Sequence, residues 1–171
     1  MKRLNVPGSI SLAPSLIAPR KPRENIITVH RNIYFIEGSV IIENVEEFLL
    51  KLRKTSKDAV MQALDADKLA GEEHLMFAVE KAIMSFEAKK NIASDLGKEI
   101  MLYASGSRQI SRAMKLGIHK GSNNLVLVAV GDDAPVFSDF PEIRQKPVLR
   151  YDKSKKETIM KAFGITDDEI E

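Results

Sequence analysis

Between residues 73 and 90 the apolar positions recur with helical spacing. Leu75, Val79, Ala82, Ile83 and Phe86 share one face, the periodicity of an amphipathic helix. Glu72 and Glu73 stand at its positive end and Lys89 and Lys90 at its negative end, each charge adding about 0.3–1 kcal/mol. Burial of the apolar face contributes more, roughly 1.5–3 kcal/mol per large side chain. Phe77 and Met84 fall opposite that stripe, beside Glu73, Glu80 and Lys81. Two large apolar groups on a polar face need a cover, either another element of the chain or a partner protein.

The remaining pattern is mixed. Ile26–Ile36 is β-branched and aromatic and predicts strand, with a turn at Gly38 and more strand over Val40–Ile42. Val45–Arg53 reads as a helix capped by Asn44, with Glu46 and Glu47 in its first turn. Val60–Leu64 is a second strand, ended by a turn through Asp65, Asp67 and Gly71. The apolar run Glu99–Ala104 predicts a strand. Arg108–Leu116 predicts a helix stopped by Gly117. Leu125–Val130 is apolar at every position, which predicts a central strand covered on both faces. After a loop over Asp132–Pro141, Pro147–Tyr151 predicts an edge strand. Lys155–Phe163 predicts a helix capped by Ser154 and stopped by Gly164, with Thr166 capping one more short turn.

Strands and helices intermix without strict alternation, and no repeat is visible. The expected fold is one mixed α/β (α+β) domain, a small, largely antiparallel sheet packed by several helices. Residues 1–25 carry Pro7, Pro14, Pro19 and Pro22 among serines. They predict a flexible, basic, Pro/Ser-rich extension, with the globular domain over residues 26–171.

Composition narrows the chemistry. A chain of 171 residues can bury one proper core. It contains no cysteine, which excludes disulfides, thiolate metal sites and a cysteine nucleophile. His30, His74 and His119 match no short metal-ligand spacing, so neither a metal nor a cofactor is expected. No apolar run approaches the length of a membrane span, and Pro14 interrupts the only stretch resembling a secretory signal; a cytoplasmic location follows as the expectation. Net charge is +2, unevenly spread. Residues 1–31 hold six basic side chains against Glu24 alone, a net of +5, while the rest holds 20 basic and 23 acidic, a net of −3. Such a leader fits a nucleic-acid-facing arm or a solvated tail.

Three places carry candidate binding chemistry. At Tyr103–Gln109 a strand is expected to give way to a helix. There Gly106 would admit a phosphate to the backbone N–H groups, and Ser105 or Ser107 would cap the helix or donate to that phosphate. Arg108, Arg112 and Lys115 follow at i, i+4 and i+7, a basic ridge suited to RNA, with Ile110, Ala113 and Met114 facing the core. Lys89, Lys90 and Asn91 close the long helix; the lysines match its dipole, and Asn91 either bonds RNA or takes a left-handed cap. Phe77 offers a face on which an unpaired base can stack. His74 reads as a capping or packing residue, and Asp65 and Asp67 as turn residues. No nucleophile has a base and an orienter beside it, so no catalytic residue is expected and the chain does not read as an enzyme.

Several segments together are specific. They are Asn44-Val45-Glu46-Glu47-Phe48, Gln62 through Asp67, His74 through Ala82, Asn91-Ile92-Ala93, and Ala104-Ser105-Gly106 with Arg108-Gln109-Ile110. With them the chain, from about Val29 to Ile165, resembles the small PRPK-binding (CGI-type) subunit family of the KEOPS (EKC) tRNA-modification complex. The resemblance implies an α/β domain without catalytic activity of its own. It implies direct binding to the kinase-like ATPase subunit and, through it, to the other subunits. It also implies a hold on the 3′ CCA end of tRNA while threonylcarbamoyladenosine is formed. Many members continue into a further helix, and the basic leader is not part of their shared pattern.

Overall fold

In the computed structural model, which describes residues 32–56, 58–132 and 137–169, the first element is a ten-residue strand, β1 (Ile33–Ile42). Ile36, Val40 and Ile42 are buried on one of its faces, the period of two that a pleated strand imposes, while Ile33 and Phe35 pack on the other. Gly38, expected as a turn, lies within this strand. A Cβ there would stand 2.5 Å from the carbonyl oxygen of Arg144 and 2.7 Å from Ile143 Cγ2. Glycine is needed so that the neighbouring strand can close on β1.

Helix α1 (Val45–Thr55) is capped as expected. Asn44 Oδ1 accepts from the N–H groups of Glu46 and Glu47 at 3.0 and 3.3 Å. Then come β2 (Val60–Asp65), α2 (Glu72–Glu87), α3 (Leu96–Ala104), α4 (Ile110–Ala113), β3 (Gly121–Val130), β4 (Arg144–Gln145) and α5 (Lys156–Phe163). The sheet order is β2-β3-β1-β4 with every pair antiparallel. The fold is therefore the mixed α/β domain with an antiparallel sheet that the sequence predicts. β3 is internal and buried from Leu125 to Val130. Val126, Val128 and Val130 meet Leu75, Val79 and Ile100 of α2 and α3, and Leu125 and Leu127 meet Phe48 and Leu52 of α1. One sheet thus separates two apolar layers.

Four expectations are corrected. Glu99–Ala104 belongs to a helix, not a strand. Asp95 caps it by accepting from the Lys98 N–H at 2.9 Å, and seven of its nine residues are buried. A helix covered nearly all round loses the amphipathic period that would distinguish it from a buried strand. Arg108–Leu116 is not one helix; α4 spans four residues and tightens into a 3-10 turn over Met114–Leu116. The edge strand is Arg144–Gln145, not Pro147–Tyr151. Pro147 has no N–H to donate, and the N–H groups of Val148 and Leu149 go to the Glu37 carboxylate at 2.9 and 2.6 Å. Finally, Asp152, not Ser154, caps the 3-10 turn Lys153–Lys155 that precedes α5. Gly164 ends α5 in the left-handed conformation as expected.

The extension over residues 1–25, its boundary with the domain, and the first part of the Ile26–Ile36 strand lie outside the described residues. No helix among the described residues is long and apolar enough to cross a membrane.

Candidate functional site

The candidate site residues lie on α2, in the turns that end α2 and α3, and on α4 with its 3-10 turn. Helices α2 and α3 form an antiparallel hairpin. Near the turn between them, Ser85 of α2 donates to Glu99 of α3 at 3.1 Å. At the far end His74 of α2 meets the Ala104 carbonyl of α3 at 2.8 Å.

Both helices end in the same motif. After α2, Lys90 N–H bonds to Ser85 O at 2.9 Å and Lys89 N–H to Phe86 O at 3.0 Å, with Lys89 at φ 54°. After α3, Ser107 N–H bonds to Leu102 O at 3.2 Å and Gly106 N–H to Tyr103 O at 3.1 Å, with Gly106 at φ 59°. These six-to-one and five-to-two bonds are those of a Schellman cap. The left-handed position goes to glycine in one cap and to lysine in the other. Lys89 is the one non-glycine residue with positive φ among the described residues. Lys89→Gly is expected to raise the unfolding free energy by about 0.5–1 kcal/mol, because a left-handed Cβ is costly; urea denaturation checks it.

This overturns the expected helix start at Ser105–Gln109. Ser105 and Gly106 finish α3, and Ser105 Oγ donates to Leu102 O at 3.0 Å. They face carbonyls at a negative helix end. Ser107 Oγ does accept from Gln109 N–H at 3.1 Å, but the α4 helix that follows has only four residues. Arg108, Gln109, Arg112 and Lys115 are all exposed, though Arg108 precedes the helix and Lys115 lies in the 3-10 turn. Their i, i+4, i+7 spacing therefore does not make a straight ridge. Ile110 and Met114 are exposed rather than in the core; only Ala113 and Leu116 are buried there.

Nor do the two basic patches meet. Lys89, Lys90 and Asn91 sit at the C-terminal end of α2, while Ser105–Arg108 sit beside its first turn. At 1.5 Å per residue, the 16 residues of α2 set these ends about 24 Å apart. Between them, Phe77, Lys81, Met84 and Ala88 follow at i, i+4, i+7 and i+11 along the outward face. Phe77 and Met84 are each 57% exposed, and no other described element covers them. Lys81 Nζ stands 5.4 Å from the Phe77 ring centroid.

His74, Asp65 and Asp67 are all engaged structurally. His74 Nδ1 accepts from the Ala70 N–H at 3.1 Å, so Nε2 carries the proton and donates to Ala104 O. Its ring also packs on Phe163, centroid to centroid 5.8 Å. Asp65 Oδ1 accepts from Asp67 N–H at 3.1 Å, and its other oxygen pairs with Lys68 Nζ at 3.0 Å. Asp67 accepts from Asn124. Among the described residues no group of three or more His, Asp or Glu is placed to hold a metal.

Two buried charges escaped the sequence reading. Glu99, 1% exposed, accepts from the N–H groups of Ile92 and Ala93 at 3.0 and 2.7 Å. Lys155, 5% exposed, donates to the carbonyls of Ala66, Val148 and Leu149. Burial holds its pKa below the ordinary lysine value, against the upward pull of Asp67, Asp152, Asp65 and Glu37. For Glu99 the one available clue was an acid opening an otherwise apolar run.

Residues 40–171 match the family model described as kinase binding protein CGI-121. The chain is 31% identical over 87 residues to the KEOPS complex subunit Cgi121 of Pyrococcus abyssi, covering 48% of this chain and 51% of that protein. It is 32% identical over 108 residues to the regulatory protein Cgi121 of Methanocaldococcus jannaschii, covering 61% of this chain and 70% of that protein. The match thus spans about half the length of the first relative.

Proposed function

The chain belongs to the CGI-121 family of kinase-binding proteins, and from that premise we propose that it is a non-catalytic accessory subunit of a KEOPS-type complex. In this reading it works in the cytoplasm and docks directly on the kinase-like ATPase subunit, meeting the other subunits through it. It also binds the 3′ CCA end of tRNA while the complex forms threonylcarbamoyladenosine. The observation that carries the docking is the outward stripe of α2. Phe77 and Met84 stand exposed on a helix whose other face is anchored in the core, and large apolar groups in such a place suit a protein partner.

The RNA contact rests on local chemistry. Lys89, Lys90 and Asn91 project from a corner whose backbone is bonded at nearly every step, so little backbone ordering entropy opposes binding there. Arg108, Gln109, Arg112 and Lys115, with the turn at Ser105 and Gly106, add an exposed cationic patch at the far end of the hairpin.

Intact tRNA is expected to bind at least about tenfold tighter than the same tRNA without its terminal CCA, since each stacked base is worth about 1–3 kcal/mol. Equal affinities in a filter-binding titration would remove the 3′-end contact. A second reading, regulation of the kinase-like subunit without RNA, is favoured by one finding: Ser105 and Gly106 close a helix instead of opening one. It predicts that the kinase-like subunit binds this chain while tRNA, intact or trimmed, does not.

A further inference from the structure

Glu99 is a carboxylate with 1% exposure, on a helix with no catalytic task. Burying an ionised group is costly unless its oxygens are bonded, and here each is. Oε1 accepts from Ser85 Oγ at 3.1 Å. Oε2 accepts from the consecutive N–H groups of Ile92 and Ala93 at 3.0 and 2.7 Å. Those two residues directly follow Lys89, Lys90 and Asn91. Ahead of them the Schellman bonds fix the N–H groups of Lys89 and Lys90, and Ala88 N–H bonds to Met84 O at 3.0 Å. Asn91 Nδ2 donates to Ala93 O at 3.0 Å. Five of the six N–H groups from Ala88 to Ala93 thus have fixed partners, two of them on one carboxylate. That carboxylate, together with the buried side chain of Ala93, ties the outgoing half of the corner to the hairpin interior.

We infer that Glu99 is the positioning residue for the Lys89–Asn91 corner, holding the backbone from which its two lysines and one carboxamide reach toward an RNA backbone. This rests on the reading of that corner as an RNA contact. Positioning and plain electrostatics predict opposite signs. Removing a negative charge beneath two lysines raises the local positive potential, which by itself strengthens RNA binding. Removing an anchor loosens the outgoing side of the corner that carries the lysines and weakens it.

The test is tRNA binding by the full chain across a salt series, with affinities corrected for the folded fraction. Lys89→Ala with Lys90→Ala establishes whether the corner binds at all. It should lower the salt slope by about 1.4 and the affinity roughly tenfold, two phosphate contacts being lost at about 0.7 each. Glu99→Met should reproduce both changes despite its lost negative charge. Glu99→Gln should restore near-native affinity, its amide oxygen accepting from Ile92 and Ala93 and its amide N–H facing the Ser85 hydroxyl. Glu99→Asp keeps the charge and withdraws the acceptor by one methylene, and serves if the methionine variant does not fold; it too should bind more weakly. Leu52→Ala, in the core on the other side of the sheet, controls for destabilisation and should leave the corrected affinity unchanged.

If the double lysine variant binds as the native chain does, the corner is not the RNA contact. If that variant weakens binding while Glu99→Met and Glu99→Asp bind like the native chain or tighter, the corner stands and the positioning role is wrong.

Discussion

Lys155→Ala should lower the unfolding free energy by about 3–5 kcal/mol, the cost of removing one side of a buried charged arrangement. The ammonium group sits among three main-chain carbonyls, those of Ala66 and Leu149 at 2.8 and 3.4 Å and that of Val148 closest. Ala66 opens the turn after β2; Val148 and Leu149 belong to the run that follows β4. On the other side of that run, the Glu37 carboxylate takes the N–H groups of the same two residues. The segment is held as a strand would be, with side chains of opposite charge in place of neighbouring strands. Alanine takes the ammonium donor from the buried carbonyls of Val148 and Leu149 and leaves Ala66 O only its bond from the Leu69 N–H at 3.3 Å, and a methionine of similar length restores volume without restoring the bonds. Both variants should melt well below the native chain in thermal or urea denaturation, with loss of the Val148 and Leu149 amide protection.

The pH dependence follows from the direction of the lysine's shift. Burial lowers the folded-state pKa of Lys155, so the unfolded chain holds this proton more tightly. Stability then rises with pH wherever the unfolded state carries more protons. The window runs from the depressed folded value up to the ordinary lysine value of 10.5. Native protein should gain stability relative to Lys155→Ala across that alkaline window. A constant difference there would mean that Lys155 titrates normally.

The same residues explain what could be read from the sequence. Leu125–Val130 was legible because a strand apolar on both faces has few places to go except the sheet interior. Asn44 and the face of α2 were legible because capping and amphipathic spacing are local. The failures are places where tertiary partners replace local logic. Glu99–Ala104 hides its helical period by being buried nearly all round. Ser105-Gly106 is ambiguous as text, since glycine and serine finish one helix as readily as they begin another; only the bonds back to Leu102 and Tyr103 decide it. Pro147–Tyr151 looks like a strand because it is held like one, by Glu37 and Lys155 from distant positions. At the candidate site the composition of each patch was legible, but not the separation between them. That separation depends on α3 running antiparallel to α2, which the Ser85–Glu99 and His74–Ala104 bonds fix.

Phe77→Glu should leave the domain folded and weaken binding to the kinase-like ATPase subunit by at least about 100-fold, the range of a central aromatic anchor at an interface. The helix itself should barely respond. The substitution loses the contact between Lys81 and the Phe77 ring, worth roughly 0.5–1 kcal/mol at an exposed site. It gains a Glu–Lys pair at i, i+4, about 0.2–0.5 kcal/mol, and meets Glu73 and Glu80 on the same face at a similar cost. Circular dichroism should therefore show a native helix content and a melting temperature within a few degrees of the native value. Binding measured by calorimetry against the purified ATPase subunit should collapse, because a carboxylate forced into an apolar contact has no partner there to offset its desolvation. Met84→Glu, about two turns further along the same stripe, should act in the same direction. Lys89→Ala with Lys90→Ala should leave kinase binding intact, since the corner lies beyond the end of that stripe. If Phe77→Glu and Met84→Glu both bind the ATPase subunit with native affinity, the contact lies off α2, and the two exposed side chains are left without a partner that the fold can identify.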